Sequence, residues 1–212
     1  MKTPVTSISG LLQAVNDGIV TGQEAEEFIR MALVETSKMK TMVGDLLAFN
    51  SFAVDAVPVK ISRLDIDNFM KDFLAQWYAI QEQTDIVIKI HLLHKEVMIS
   101  VDLIRLQQIM TNLLTNAEQA ISGTGEITIS LSEKEQYVSV IVKDSGSGIP
   151  PEEQELIFER FFRGENKKYG IRGLGLGLPL SKMMAQSFKG NLHLVESTEK
   201  GTSFEVLLRK EG

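Results

Sequence analysis

The chain has 212 residues, a hydrophobic content of 43%, a charged content of 24% and a formal net charge of −6. That length holds one sizeable core or two modest ones, and the acidic balance argues against a nucleic-acid binder, which carries a basic footprint. The absence of cysteine excludes a disulfide framework and a thiolate metal site, and no run of about 18 apolar residues is long enough to span a membrane.

The predicted elements begin with two helices. Ile8, Leu11, Leu12 and Val15 mark a short amphipathic helix ending near Asp17-Gly18. From Thr21 to about Phe52 there is no proline, and Ala32, Met39, Leu46 and Ala53 recur at heptad spacing, with Phe28, Ile29, Met42, Val43 and Leu47 between them. Such an αα-hairpin cannot bury its stripe alone. The simplest solution is a second copy, giving a dimeric four-helix bundle; the alternative is packing on the rest of the chain. The predicted division is residues 1–56 for the hairpin and 57–212 for a second domain.

Beyond Ala56-Val57-Pro58 the texture changes. A short strand is expected over Val57–Ile61 and an amphipathic helix over Leu64–Tyr78, followed by alternating strands at Asp85–Ile90 and Glu96–Ser100. A helix is expected over Leu103–Ile121, strands over Glu126–Leu131 and Tyr137–Lys143, and a helix near Gly175–Phe188. A closing strand pair covers Asn191–Val195 and Thr202–Leu208. Helices and strands are mixed without strict alternation, which predicts an α+β fold, a two-layer sandwich of one sheet covered by helices.

Three motifs carry chemistry. Asn112 and Asn116 lie four apart on an apolar helix and share a face. Local capping is one reading; buried, the amides need partners, and Mg²⁺ with its waters, bridging to triphosphate oxygens, would supply them. Asp144-Ser-Gly146-Ser-Gly148 ends a strand, where the aspartate can accept from an exocyclic amine and the glycines let backbone approach a flat base. An ordinary Asp-Ser-Gly turn is the alternative. Gly173-Leu-Gly175-Leu-Gly177-Leu-Pro179 opens a helix, whose free N–H groups and dipole favour phosphate. Between the last two lie Arg160, Arg163, Lys167, Lys168 and Arg172 with the single acid Glu165, a local sign reversal that suits a mobile lid over a polyanion.

This combination resembles the catalytic core of two-component sensor histidine kinases, whose ATP-binding domain has the Bergerat (GHKL) fold shared with type II topoisomerases and MutL. The likeness covers nearly the whole chain. It implies that Asn116 is the Mg²⁺ ligand, that Asp144 reads the adenine amino group, and that Gly146 and Gly148 form the first glycine box. Phe158 to Arg163 resembles the lid motif, Gly173, Gly175 and Gly177 the second glycine box, and Gly201-Thr202 the closing Gly-Thr. Gln119-Ala120 departs from the pattern, since many relatives carry a basic and an aromatic residue there. Lys167, Lys168 or Arg172 would make up the missing phosphate contact.

The resemblance further implies ATP and Mg²⁺ as ligands, a homodimer through the N-terminal helices, a response-regulator receiver domain as partner and no nucleic acid. It also implies a cytoplasmic location, with any membrane attachment through a region upstream. Met1-Lys2-Thr3-Pro4 is similar to the second half of the phosphoacceptor motif His-Glu-x-(Arg/Lys)-Thr-Pro, so the accepting histidine is expected just before Met1 and Thr3 at the position that aids dephosphorylation of the partner. His91, His94 and His193 read as strand or turn residues. As given, the chain is expected to bind ATP and dimerise without autophosphorylating at that site.

Hydrolases of the same fold group activate water with a glutamate one turn before the metal-binding asparagine. Asn112 stands there, and an amide has no basic lone pair, which favours phosphoryl transfer. A GHKL-type ATPase and a non-catalytic nucleotide-binding or dimerisation module are the alternatives.

Overall fold

The structure, a computed structural model, describes residues 2–53, 58–80, 85–121, 123–164 and 174–211. It opens with the helical hairpin, α1 (Lys2–Asn16) and α2 (Gly22–Ala53). Gly18 ends the first helix at φ 68, donating its N–H to the Val15 carbonyl at 3.1 Å, the left-handed residue that commonly follows a helix.

The expected heptad stripe on α2 resolves into two. Phe28, Ala32, Met39, Met42 and Leu46 form an inner row, with Ala32 buried and the others half-buried, on the helix that packs with α1. Ile29, Leu33, Val43 and Leu47 form an outer row, each at least 42% exposed.

After the hairpin come β1 (Ile61–Asp65), α3 (Ile66–Ile80), β2 (Ile86–His91), β3 (Met98–Asp102) and α4 (Leu103–Ala120). Next are β4 (Gly125–Glu133), β5 (Tyr137–Asp144), α5 (Pro151–Gln154), α6 (Gly177–Ser187), β6 (Asn191–Thr198) and β7 (Gly201–Arg209). The first strand is a correction. Pro58 to Lys60 are outside any strand, Val57 lies outside the described residues, and pairing with β3 runs from Ile61↔Asp102 to Asp65↔Met98. Proline cannot donate to a ladder, and the Lys60 N–H instead donates to the Asp102 carboxylate at 2.8 Å.

β1 and β3 form a two-stranded sheet; the main sheet has the order β2-β4-β5-β7-β6. Only β2 and β4 run parallel within it; the other neighbouring pairs are antiparallel. The strand period of two sends Ile127, Ile129, Val140, Val142, Phe204 and Val206 to one face, where they join Phe69, Met70 and Phe73 of α3, Leu106, Ile109, Met110 and Leu113 of α4, and Leu180 and Met184 of α6 in one core. The opposite face carries Lys89, Glu126, Thr128, Ser139, Glu205 and His193. This is the expected α+β arrangement of a helical hairpin and a sheet covered by helices.

Candidate functional site

α4 is the element on which the site is built. Asp102 caps it, accepting from the Arg105 N–H at 3.2 Å, and its apolar side (Leu106, Ile109, Met110, Leu113, Leu114) is buried in the core. Asn112, Thr115 and Asn116 are left along the wall of a cleft of about 820 Å³.

The cleft's other walls come from distant parts of the sequence: Ser147 to Pro150 after β5, Phe162 to Gly164, and Gly175 with Gly177 to Ser181 at the start of α6. Helix α2 contributes Val34 and Ser37, which sequence reasoning missed because hairpin and cleft are joined only in the tertiary fold. The space suits a nucleotide-sized ligand.

Asp144 ends β5 and is 5% exposed. Its Oδ1 accepts from the N–H of Gly146 at 2.8 Å and of Thr202 at 3.3 Å. Asp144, Gly146 and Thr202 thus form a buried cluster beside the cleft lining rather than within it.

The glycines of this stretch are turned against the protein's own backbone. A Cβ on Gly146 would lie 2.6 Å from Ala120, and one on Gly148, at φ +73, would collide with the Thr198 carbonyl. The Ser147 N–H donates to the Ala120 carbonyl at 3.2 Å. The Ile149 N–H donates to Ser197 Oγ at 2.8 Å, Ser197 pairs with Thr202 Oγ1 at 2.8 Å, and Gln154 Nε2 reaches the Ile149 and Ser197 carbonyls. The post-β5 loop is therefore stitched to α4 on one side and to β6 on the other. A serine and a glutamine in unremarkable local sequence gave no sign of this.

In another wall of the cleft, α6 begins at Gly177 with Leu176 as N-cap and no side-chain cap. Its first N–H groups keep the open hydrogen-bonding character of a helix start. The Asn112 Nδ2 donates to Ser181 Oγ at 2.9 Å, and a Cβ on Gly177 would meet the Asn112 Oδ1 at 2.5 Å. Gly175, at φ +70, faces the Phe162 carbonyl, and the Phe161 N–H donates to the Gly175 carbonyl at 3.1 Å.

Phe158 sits edge-on to Phe204 with ring centroids 6.4 Å apart and with Lys182 Nζ 4.5 Å above it. Arg163 lines the cleft, whereas Arg160 is exposed and outside the lining. Lys167, Lys168, Arg172 and Gly173 lie outside the described residues, and Thr3 is on α1 with a side chain that also does. His91 ends β2, and His94 stands in a turn at φ 57.

Among the described residues no group of three His, Cys, Asp or Glu could hold a metal, so a divalent ion here would rely on the Asn116 amide, ligand oxygens and water. That donor set suits Mg²⁺, which keeps several waters and takes few protein ligands. Glu126, Glu133 and Glu205 are held below their ordinary range, and none of these three lines the cleft.

Residues 101–212 match the model of the histidine kinase-, DNA gyrase B- and HSP90-like ATPase family. The sensor protein SrrB of Staphylococcus aureus (strain NCTC 8325 / PS 47) is 27% identical over 212 residues, 99% of this chain and 36% of SrrB. The chain therefore spans 36% of the length of that curated relative. Histidine kinase AdeS of Acinetobacter baumannii superposes with a TM-score of 0.78 at 20% identity, covering 100% of this chain and 97% of that one. Histidine kinase ThkA, solved in complex with the response regulator protein TrrA, gives a TM-score of 0.80 at 21% identity over 99% of this chain and 58% of that one. At such identities the structural likeness speaks for the fold alone, and it agrees with the family match. The chain belongs to the histidine kinase-, DNA gyrase B- and HSP90-like ATPase family, and it is similar in sequence to the catalytic region of a sensor kinase.

Proposed function

We propose that the chain is a sensor kinase core that binds Mg-ATP in the α4–α6 cleft and, within its parent protein, transfers the γ-phosphoryl group to a histidine on the dimerisation hairpin. One observation carries the reading: a single cleft collects Asn116, the uncapped start of α6 and Arg163, with an amide, Asn112, one turn before Asn116.

In this reading Asn116 holds Mg²⁺, which when bound neutralises and aligns the triphosphate. The first turn of α6, Gly175 and Arg163 receive phosphate charge, joined by Lys167, Lys168 and Arg172 of the lid and by Gly173. Asp144, its Oδ1 fixed by the N–H groups of Gly146 and Thr202, reads the base amine. Positioning and charge stabilisation supply most of the acceleration, as is general for phosphoryl transfer. Helices α1 and α2 contain no histidine, so the acceptor is not on them in this chain.

ThkA was solved with a response regulator, which supports a receiver-domain aspartate as the next acceptor and Thr3 as a residue of the reverse, dephosphorylating reaction. Residues 1–56 would be the dimerisation unit and 57–212 the ATP-binding unit. No helix among the described residues is long and apolar enough to cross a membrane, in keeping with a proposed place on the cytoplasmic side.

A hydrolytic alternative would need a carboxylate base, and Glu153 is the acid in the lining. Its carboxylate lies against Gly164, at the lid root rather than on the turn before Asn116, and this favours transfer over hydrolysis.

The test is calorimetry with Mg²⁺ and a non-hydrolysable ATP analogue. The parent chain binds, and Asn116→Asp abolishes productive binding; an unchanged affinity in that variant would overturn the metal assignment.

A further inference from the structure

We infer that Ser181 is a positioning residue for the phosphate end of this site, acting through the carboxamide of Asn112. The inference rests on the nucleotide reading above and adds a residue to it. Ser181 is 2% exposed on α6, at the edge of the cleft and next in sequence to the core residue Leu180. A hydroxyl there is costly unless it has a partner, whereas alanine would fit the space without one. Its partner lies 69 residues away on another helix: Asn112 Nδ2, at 2.9 Å.

The geometry around Asn112 shows what the bond does. A Cβ on Gly177 would stand 2.5 Å from the Asn112 Oδ1 and 3.1 Å from its Nδ2. Gly177 and Ser181 are four apart and so share a face of α6. The Asn112 amide is therefore laid on the first residue of α6 and tied to the residue one turn in, at the helix end that has no side-chain cap of its own.

The other end of the seam is tied as well. Arg105, 4% exposed, donates from Nη1 to Ser187 Oγ at 2.6 Å, and that hydroxyl donates to the Met184 carbonyl at 2.6 Å. From Arg105 to Asn112 on α4 and from Ser187 to Ser181 on α6 each helix advances by roughly 10 Å. The two helices are thus antiparallel and pinned at both ends. What this fixes is the offset between the first turn of α6 and Asn116, which lies one turn beyond Asn112. A triphosphate gripped by both elements at once depends on that offset; a base held elsewhere does not.

The experiment compares the parent chain with Ser181→Ala, Ser181→Thr, Asn112→Ala and the Ala/Ala double variant. Calorimetry reads the affinity for a non-hydrolysable ATP analogue with Mg²⁺, NMR titration reads adenosine without Mg²⁺, and the fluorescence of Trp77, the chain's one tryptophan, follows the melt. Ser181→Ala is expected to weaken the Mg²⁺–analogue complex about tenfold, the scale of one lost hydrogen bond. Adenosine affinity should stay within about twofold, threonine should restore most of the loss, and the double variant should lose no more than either single one. An unchanged analogue affinity, an equal loss for adenosine, additive losses or collapse of the melt would each overturn the positioning role. A parent chain that binds neither ligand would instead sink the nucleotide reading itself, before any substitution is made.

Discussion

At the scale of single residues, Asp144 is a carboxylate built into the fold for which base reading is also proposed. Its Oδ1 gathers the Gly146 and Thr202 N–H groups in a site 5% exposed, so it joins the post-β5 loop to the start of β7. Removing the side chain would orphan two buried N–H groups, each costing roughly 1–3 kcal/mol, and would confuse a loss of base reading with a loss of fold. Asparagine separates the two. Asp144→Asn keeps an oxygen for the backbone donors but replaces the other acceptor by an N–H₂ group, which suits the guanine carbonyl rather than the adenine amine. The expected outcome is a melting temperature close to the parent's with loss of adenine-over-guanine preference; a variant that still favours adenine would remove Asp144 from base recognition. The identity of this residue was legible in the sequence because a strand pattern ends on it. The use of Gly146 and Gly148 was not: their missing Cβ atoms make room for Ala120 and Thr198, partners 26 and 50 residues away in number. Ser181 was hidden for the same reason, since a serine in a helix gives no sign of the amide that will face it.

At the scale of elements, the long periodic segments were readable and their edges were not. The helix over Leu103–Ala120 and strands β5 and β7 follow from clean periods of 3.6 and 2, whereas β1 begins four residues later than Val57 because Pro58 and Asp102 decide where its ladder starts. The parallel pairing of β2 with β4 across an intervening strand and helix had no local signal. Between β5, β6 and β7 the outer sheet face holds a polar cluster that the sequence shows only as alternating polar residues. Glu205, 5% exposed, accepts from Lys134 Nζ at 2.6 Å and from Ser139 Oγ, and meets His193 Nε2 at 2.9 Å. Burial alone would push its carboxyl up; the hydrogen bonds from Lys134 and Ser139 and the neighbouring positive charges outweigh this and leave it below its ordinary 4.5. A depressed folded value means the ionised form favours the fold, so the contribution is complete above about pH 4.5 and is lost as pH falls through the folded value. Thermal melts between pH 7 and pH 3 should therefore show an acid-side fall in the parent that is reduced in Glu205→Gln. Parallel curves for the two would show that Glu205 does not stabilise the sheet in this way.

For the whole molecule, the hairpin plays two parts that its sequence merged into one stripe. The inner row on α2 is centred on Ala32 at 4% exposure, and Val34 and Ser37 close part of the cleft wall. The outer row remains open to solvent: Ile29 at 42%, Leu33 at 63%, Val43 at 43% and Leu47 at 62%, with Leu12 of α1 at 46%. Spacings of four, ten and four residues keep Ile29, Leu33, Val43 and Leu47 on one side of the helix. An apolar row of this length on a monomer marks an interaction surface, and a second copy of the same hairpin, related by a two-fold axis, would cover it with itself. The proposed dimer is argued from that row, which is open to solvent in the single chain. Light scattering at micromolar concentration should report a dimer for the parent chain and a monomer for the double variant Val43→Glu, Leu47→Glu, with the affinity for the Mg²⁺–analogue complex retained because neither residue lines the cleft. A parent chain that is monomeric, or a double variant that still dimerises, would move the interface away from this face of α2.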